Sequence, residues 1–224
     1  MYQALQKTNN LEKLEDIISG LDLTQETATD LISEIFYDAV QKSRIEMMKF
    51  LVGKGANINY ENCFKQSVLF VVLINNNPDN ENILKFLLEN GADVNHENIN
   101  GQSDFMYLMD KGKLSYSYLL DLVDYVSNIH EKSVRTGGSY LHIAVERVHD
   151  KTRVDMLNKL LKMGLEVNCL DNNGDTPLHL MGGIACYCSI VLLLENGADI
   201  RMRNILGETV LHCLAYSKRI ARLL

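Results

Sequence analysis

Apolar residues recur along this chain in short clusters at helical spacing, each closed by a glycine and followed by a polar, asparagine-rich stretch. Met47, Met48, Phe50 and Leu51 precede Gly55, and Ile83, Leu84, Leu87 and Leu88 precede Gly91. Met156, Leu157, Leu160 and Leu161 precede Gly164, and Ile190, Val191, Leu193 and Leu194 precede Gly197. Each cluster lays an apolar stripe along one side of a helix and predicts one buried face. The glycine fits a helix end, because it enters the left-handed region without the clash a Cβ would cause.

Aligning the chain on itself shows that the clusters are copies of one unit. LVGKGANIN (51–59), LLENGADVN (87–95) and LLENGADIR (193–201) nearly superimpose, and LLKMGLEVN (160–168) is a looser copy. Degenerate copies fit at Gly20 (GLDLT) and Ser127 (SNIHE), so successive anchors lie 35, 36, 36, 37 and 33 residues apart. A fixed period of this length marks a repeat array. A second helix is predicted at a constant offset after each anchor, in QSVLF, QSDFM, GSYLH, DTPLH and ETVLH. Their second positions, Ser67, Ser103, Ser139, Thr176 and Thr209, all carry a hydroxyl suited to capping exposed helix amides. Pro177 follows at the first helical position, where a missing N–H does no harm. Segments such as NNGD (172–175) read as turns.

Helix, loop, helix and projecting turn, with TPLH and GAD together in DNNGDTPLHLMGGIACYCSIVLLLENGADI (171–200), resembles the ankyrin repeat family. The resemblance implies an all-α fold: an ankyrin-repeat solenoid of stacked antiparallel helix pairs with projecting β-turn loops. On this reading residues 1–224 are one ankyrin-repeat domain, with an N-terminal capping repeat at 1–31, in which Gln3, Lys7, Glu12, Lys13, Glu15 and Asp16 face water. Repeats follow near 32–62, 63–98, 99–134, 135–171 and 172–204, and 205–224 is an incomplete last repeat that leaves Leu223 and Leu224 at an apolar edge. In the family, the histidine of TPLH ties neighbouring repeats together, which implies that role for His142, His179 and His212. Tyr37, Phe70 and Met106 stand at the matching positions, so those copies are expected to hold together mainly by packing.

Three repeats are stretched. From Phe70, Met106 or His142 to the next anchor is 21, 21 or 22 residues, against 18 from His179 to Gly197. The extra residues fall in NNNPDNEN (75–82), DKGKLSYS (110–117) and near RVHDKTR (147–153). Such repeats are similar to those of poxvirus ankyrin proteins and of some intracellular bacteria and insects. LLENGADVN and LLKMGLEVN also resemble segments in which ankyrin asparagines, here Asn95 and Asn168, are hydroxylated.

Composition narrows the function. The chain has 224 residues, 46% of them hydrophobic and 23% charged, as in ordinary soluble proteins. A formal net charge of −7 argues against nucleic acid or an anionic membrane as the main partner. The small basic groups, Arg201 with Arg203 and Lys218 with Arg219 and Arg222, read as solvated surface. Five scattered cysteines, an odd number, fit reduced thiols in the cytoplasm, and Cys186 and Cys188 lack a second pair at metal-ligand spacing. No apolar run approaches a signal peptide or a membrane span. The sequence carries no phosphate-cradling glycine loop, zinc-protease helix, nucleophile elbow or kinase signature. The expectation is a monomeric binding protein without catalytic residues, cofactor or metal, in the cytoplasm, or in the host cytoplasm for a viral chain.

Binding in this family uses the turn tips and the first helix of each pair. The corresponding positions are Glu61, Phe64 and Gln66; Glu97, Ile99, Asn100 and Gln102; Leu170, Asn172 and Asp175; and Arg203, Ile205 and Leu206. Each row carries an apolar residue where a polar one would serve the fold equally well, and apolar residues rimmed by polar ones mark an interaction site. The competing reading is that these side chains tuck between adjacent turns. Two roles fit: the recognition part of a viral or intracellular-pathogen adaptor, or a stand-alone inhibitor or decoy resembling inhibitors of NF-κB. Poxvirus-like adaptors often carry a C-terminal F-box-like segment that recruits a ubiquitin ligase, which here would require residues beyond Leu224. A cellular scaffold is a third, blander role.

Overall fold

The computed structural model describes residues 15–16, 18–20, 26–75, 79–111, 120–148, 150–184 and 186–216. The chain forms two compact units, Met1–Asp104 and Phe105–Leu224. Among the described residues the structure is helical, and its strand-like pairings are the isolated bridges Glu61–Ser67 and Glu97–Ser103. No described helix is long and apolar enough to cross a membrane.

Unit 1 contains α1 (Glu26–Gln41), α2 (Ile45–Gly53), α3 (Val68–Ile74) and α4 (Asn80–Glu89). α1 pairs with α2 and α3 with α4, while α1 also packs on α3. The patterning explains who sits where. α3 reads VLFVVLI with Val68 through Leu73 all buried, and a helix apolar all round is stable only when enclosed. α4 is one-sided: Ile83, Leu84 and Leu87 are buried, whereas Glu81, Lys85 and Glu89 face water.

Unit 2 contains α5 (Asp104–Lys111), opening on the last residue of unit 1, then a 3-10 turn at Val123–Tyr125, α6 (Tyr140–Arg147) and α7 (Asp150–Lys162). α8 (Pro177–Leu180) is prolonged by a 3-10 turn at Met181–Gly183 and followed by α9 (Tyr187–Glu195) and α10 (Val210–Tyr216). α6, α8 and α10 stack as inner helices, α7 and α9 as outer ones, and α6 pairs with α7. This is the stacked helix-pair architecture that the repeat pattern implies.

The hydroxyl caps form as expected at α3 and α8: Ser67 Oγ accepts from the Phe70 N–H (2.9 Å) and Thr176 Oγ1 from the His179 N–H (3.3 Å). One stretched repeat spends its extra residues on a longer outer helix, since α7 has 13 residues against 9 in α9. Buried Arg153 of α7 donates from Nε to the Val148 carbonyl (2.6 Å) and so fixes the α6–α7 connection. The other two extensions, and the predicted cap residues Gln3, Lys7, Glu12 and Lys13, fall wholly or partly outside the described residues, as do Lys218, Arg219, Arg222, Leu223 and Leu224. Glu15 and Asp16 are exposed.

Candidate functional site: the turn tips

Four of the described tips are each closed by a single Asx side chain. Asn62 Oδ1 accepts from the N–H groups of Phe64 (2.9 Å) and Gln66 (3.0 Å). Asn98 does the same for Asn100 (2.8 Å) and Gln102 (3.4 Å), Asp171 for Asn173 (2.8 Å) and Asp175 (2.9 Å), and Asn204 for Leu206 and Glu208 (both 3.0 Å). The same four residues donate their backbone N–H to the carbonyls of Gln66, Gln102, Asp175 and Glu208. At the degenerate repeat Ser133 takes the Asx place, its Oγ accepting from Arg135 and Thr136 while its N–H reaches Gly138, one residue further on. The turn requires a left-handed residue just before its end, supplied by Gly101 (φ 67°), Gly174 (φ 70°) and Gly207 (φ 74°). In the first tip Lys65 occupies that position at φ 51°.

Successive repeats are laced together behind the tips. His142 Nδ1 accepts from the Ser139 N–H (3.1 Å), which places the ring proton on Nε2, and Nε2 donates to the Asp175 carbonyl (2.9 Å). His179 repeats this with Thr176 (3.2 Å) and the carbonyls of Met202 (3.1 Å) and Glu208 (3.3 Å). Burial, the largest influence, holds the His142 pKa below the usual histidine range against the Asp175 carbonyl, so the ring is neutral. His212 keeps the local half of the pattern, accepting from the Thr209 N–H (3.2 Å). Two asparagines form a second clamp: Asn59 donates to the Gly91 carbonyl (3.1 Å) and accepts from the Asp93 N–H (2.8 Å). Asn168 does the same at Gly197 (3.0 Å) and Asp199 (2.9 Å). Tyr37 adds a hydrogen bond to its packing, because its hydroxyl accepts from Asn62 Nδ2 (2.9 Å) and reaches the next tip as the histidines do.

A polar network in unit 1 has no counterpart in the sequence reading. His96 Nδ1 lies 2.9 Å from Asp104 Oδ2 and its Nε2 lies 2.9 Å from Glu61 Oε2. Ser67 Oγ donates to the same Asp104 oxygen (2.6 Å), and Asp104 is fully buried. Desolvation is the largest influence on His96 and pulls its pKa down, but Glu61 and Asp104 together outweigh it and leave the pKa raised. Glu61 is lowered by its hydrogen bond to His96, whereas burial keeps Asp104 raised despite Ser67 and His96. With a carboxylate at each nitrogen, the ring is an imidazolium that donates both ways. A signal was present in the alignment. Asp104 stands where the other repeats carry Val68, Tyr140, Pro177 and Val210, so one polar side chain entered an otherwise apolar column.

The predicted binding residues divide by burial. Phe64 (66% exposed) and Ile99 (68%) project from unit 1, and Ile205 (71%), Leu206 (76%) and Leu170 (41%) from unit 2. They do not tuck between turns. Glu97, Asn100, Asn172 and Arg203 are exposed, Arg203 donating to the Gly207 carbonyl (2.6 Å). Glu61 is exposed but held by His96, half-buried Gln66 accepts from Asn62 Nδ2 (2.8 Å), and Asp175 Oδ1 accepts from Asn204 Nδ2 (2.9 Å). Gln102 differs from its expected placement: it is buried, with no hydrogen-bond partner for its Nε2 among the described residues. In unit 2 the tips are joined by backbone, Asn172 N–H to the Thr136 carbonyl (2.9 Å) and Ile205 N–H to the Asn173 carbonyl (3.0 Å). These bonds hold Leu170, Ile205 and Leu206 on one laced edge.

Residues 173–205, which carry the best-formed tip, histidine tie and outer helix, match the family model described as Ankyrin repeat. The chain has the ankyrin-repeat fold. It is similar to an ankyrin repeat protein of Rickettsia felis, 32% identical over 99 residues that make up 42% of this chain and 43% of that protein. An ankyrin repeat protein of Fowlpox virus is 36% identical over 66 residues, 29% of this chain and 15% of that protein. The chain thus spans less than half the length of these ankyrin relatives. The crystal structure of the human ASB11 ankyrin repeat domain superposes with a TM-score of 0.63 at 24% identity, covering 97% of this chain and 92% of that one.

Proposed function

We propose that the chain is the partner-recognition part of an ankyrin-repeat adaptor of viral or intracellular-pathogen type, acting in the cytoplasm by binding rather than catalysis. An ankyrin-repeat stack is a protein–protein interaction module. The observation that carries the finer reading is the exposure of Phe64, Ile99, Ile205 and Leu206 on tips whose backbone is already fixed by Asx side chains. These side chains are mostly exposed, and large apolar groups held rigidly in water make efficient anchors for a partner. The relatives in Fowlpox virus and Rickettsia felis support the viral or pathogen origin.

The partner is a protein bound over a standard interface of roughly 1,200–2,000 Å². Affinity capture from candidate host-cell extracts with mass spectrometry identifies it. Changing Ile99, Leu170 and Ile205 together to Asp is then expected to abolish capture while the helical circular dichroism stays unchanged. Capture that survives the triple change places the contact elsewhere.

A further inference from the structure

Unit 1 contains a recess of about 270 Å³ between α1 and the first tip, walled by Tyr37, Tyr60, Glu34, Asp38, Gln41 and Cys63. That volume is below the roughly 300–1,000 Å³ of sites for whole small molecules, and it suits one long side chain. The two rings meet edge to face, centroids 5.8 Å apart at 67°, so they form two walls at an angle rather than a closed stack. Of the two carboxylates, Asp38 is already paired with Lys42 (2.7 Å). Glu34 has no ion-pair or hydrogen-bond partner among the described residues, although it is half-buried beside the rings. The recess therefore combines aromatic walls with one uncompensated negative charge. Burial first, then Glu34 and Asp30, raise the Tyr60 pKa, as expected where negative potential collects.

We propose that this recess receives one arginine side chain of the bound protein, its guanidinium stacked on Tyr60 and paired with Glu34. Arginine fits both demands, because its flat cation stacks on aromatic rings and its fork of N–H donors matches a carboxylate. Lys42, which follows the α1 wall in sequence, is engaged with Asp38, and Lys65, which follows the tip wall, holds the left-handed position of the turn at φ 51°. The inference rests on the protein-binding reading above and gives the partner a chemistry: a basic residue close to the apolar residues that meet Phe64 and Ile99.

The test titrates the full isotope-labelled chain with Nα-acetyl-arginine amide and with Nα-acetyl-citrulline amide, which has the same shape without the charge. The arginine probe is expected to shift the ring resonances of Tyr37 and Tyr60 in a saturable way, with the citrulline probe at least about ten-fold weaker. Glu34→Gln should weaken the arginine probe by a similar factor, and the triple change at the tip residues Ile99, Leu170 and Ile205 should leave it unaltered. Equal response to both probes, no ring shift, or indifference to Glu34→Gln overturns the proposal, whatever the triple variant does to partner capture. Conversely, an intact probe response with partner capture surviving the triple change leaves the recess standing and refutes the tip residues alone.

Discussion

Replacing His96 by leucine removes both donors that connect buried Asp104 to the Glu61 tip. The Glu61 arm is exposed and contributes at most about 1 kcal/mol. The Asp104 arm decides the outcome, because it leaves a fully buried carboxylate with Ser67 as its remaining side-chain donor and with Oδ1 unsatisfied. Breaking a buried pair typically costs roughly 3–5 kcal/mol, and access of water to the partly exposed imidazole site favours the lower end, about 3 kcal/mol. The double change His96→Leu with Asp104→Val restores the apolar column of the other repeats and is expected to regain most of that loss. Urea unfolding followed by circular dichroism, with hydrogen exchange of residues 60–105, measures both variants. A single-variant loss below about 1 kcal/mol, or a double variant no better than the single, would refute the reasoning. The pH dependence has a definite sign. The His96 pKa is raised, so its contribution is complete below the ordinary value of 6.5 and fades as pH rises through the folded value. Raised Asp104 acts in the same sense above 3.8, whereas lowered Glu61 contributes above 4.5 and loses its contribution as pH falls through its folded value. The advantage of wild type over His96→Leu should therefore shrink on going from weakly acidic to alkaline pH.

Unit 2 should respond to pH in the opposite sense around neutrality. His142 has a lowered pKa, so its contribution is full above 6.5 and is lost as pH falls through the folded value, visible as lower amide protection factors in α6 and α8 at acidic pH. His142→Leu orphans the Ser139 N–H and leaves the Asp175 carbonyl with the Asp171 N–H, and is expected to cost about 1–3 kcal/mol in urea unfolding, largely abolishing that acid sensitivity. Lys65→Gly relieves a left-handed residue at φ 51° and should raise the midpoint of unfolding by an amount corresponding to about 1 kcal/mol.

The fold was legible because each repeat's message is local. The stripe Ile83, Leu84, Leu87 ahead of Gly91 specifies an outer helix by itself, and Ser67 or Thr176 announces the next inner helix three residues before the amide it caps. The exposure of Ile99 and Ile205 was left open by the sequence, which allows such side chains either to project or to tuck between turns, and the structure decides for projection. What escaped depends on distant approach. His96 reads as one more polar turn residue until the fold brings Glu61, 35 positions earlier, to its other nitrogen. Gln102 looks like a tip residue because it follows Gly101, yet the backbone turns inward there and buries it. The Tyr37 hydroxyl and the recess beside it arise only when α1 meets the following tip.

The Asx-closed tip has an evolutionary consequence. Its geometry is written in one Asn or Asp and one left-handed position, so the side chains of the intervening pairs Cys63 and Phe64, Ile99 and Asn100, and Ile205 and Leu206 take no part in the hydrogen bonds that close it. Substitutions there are close to neutral for stability, and a lineage can sample them without passing through misfolded ancestors. A protein whose partner keeps changing, as a host target changes under pressure from a parasite, can follow it two residues per repeat at a time.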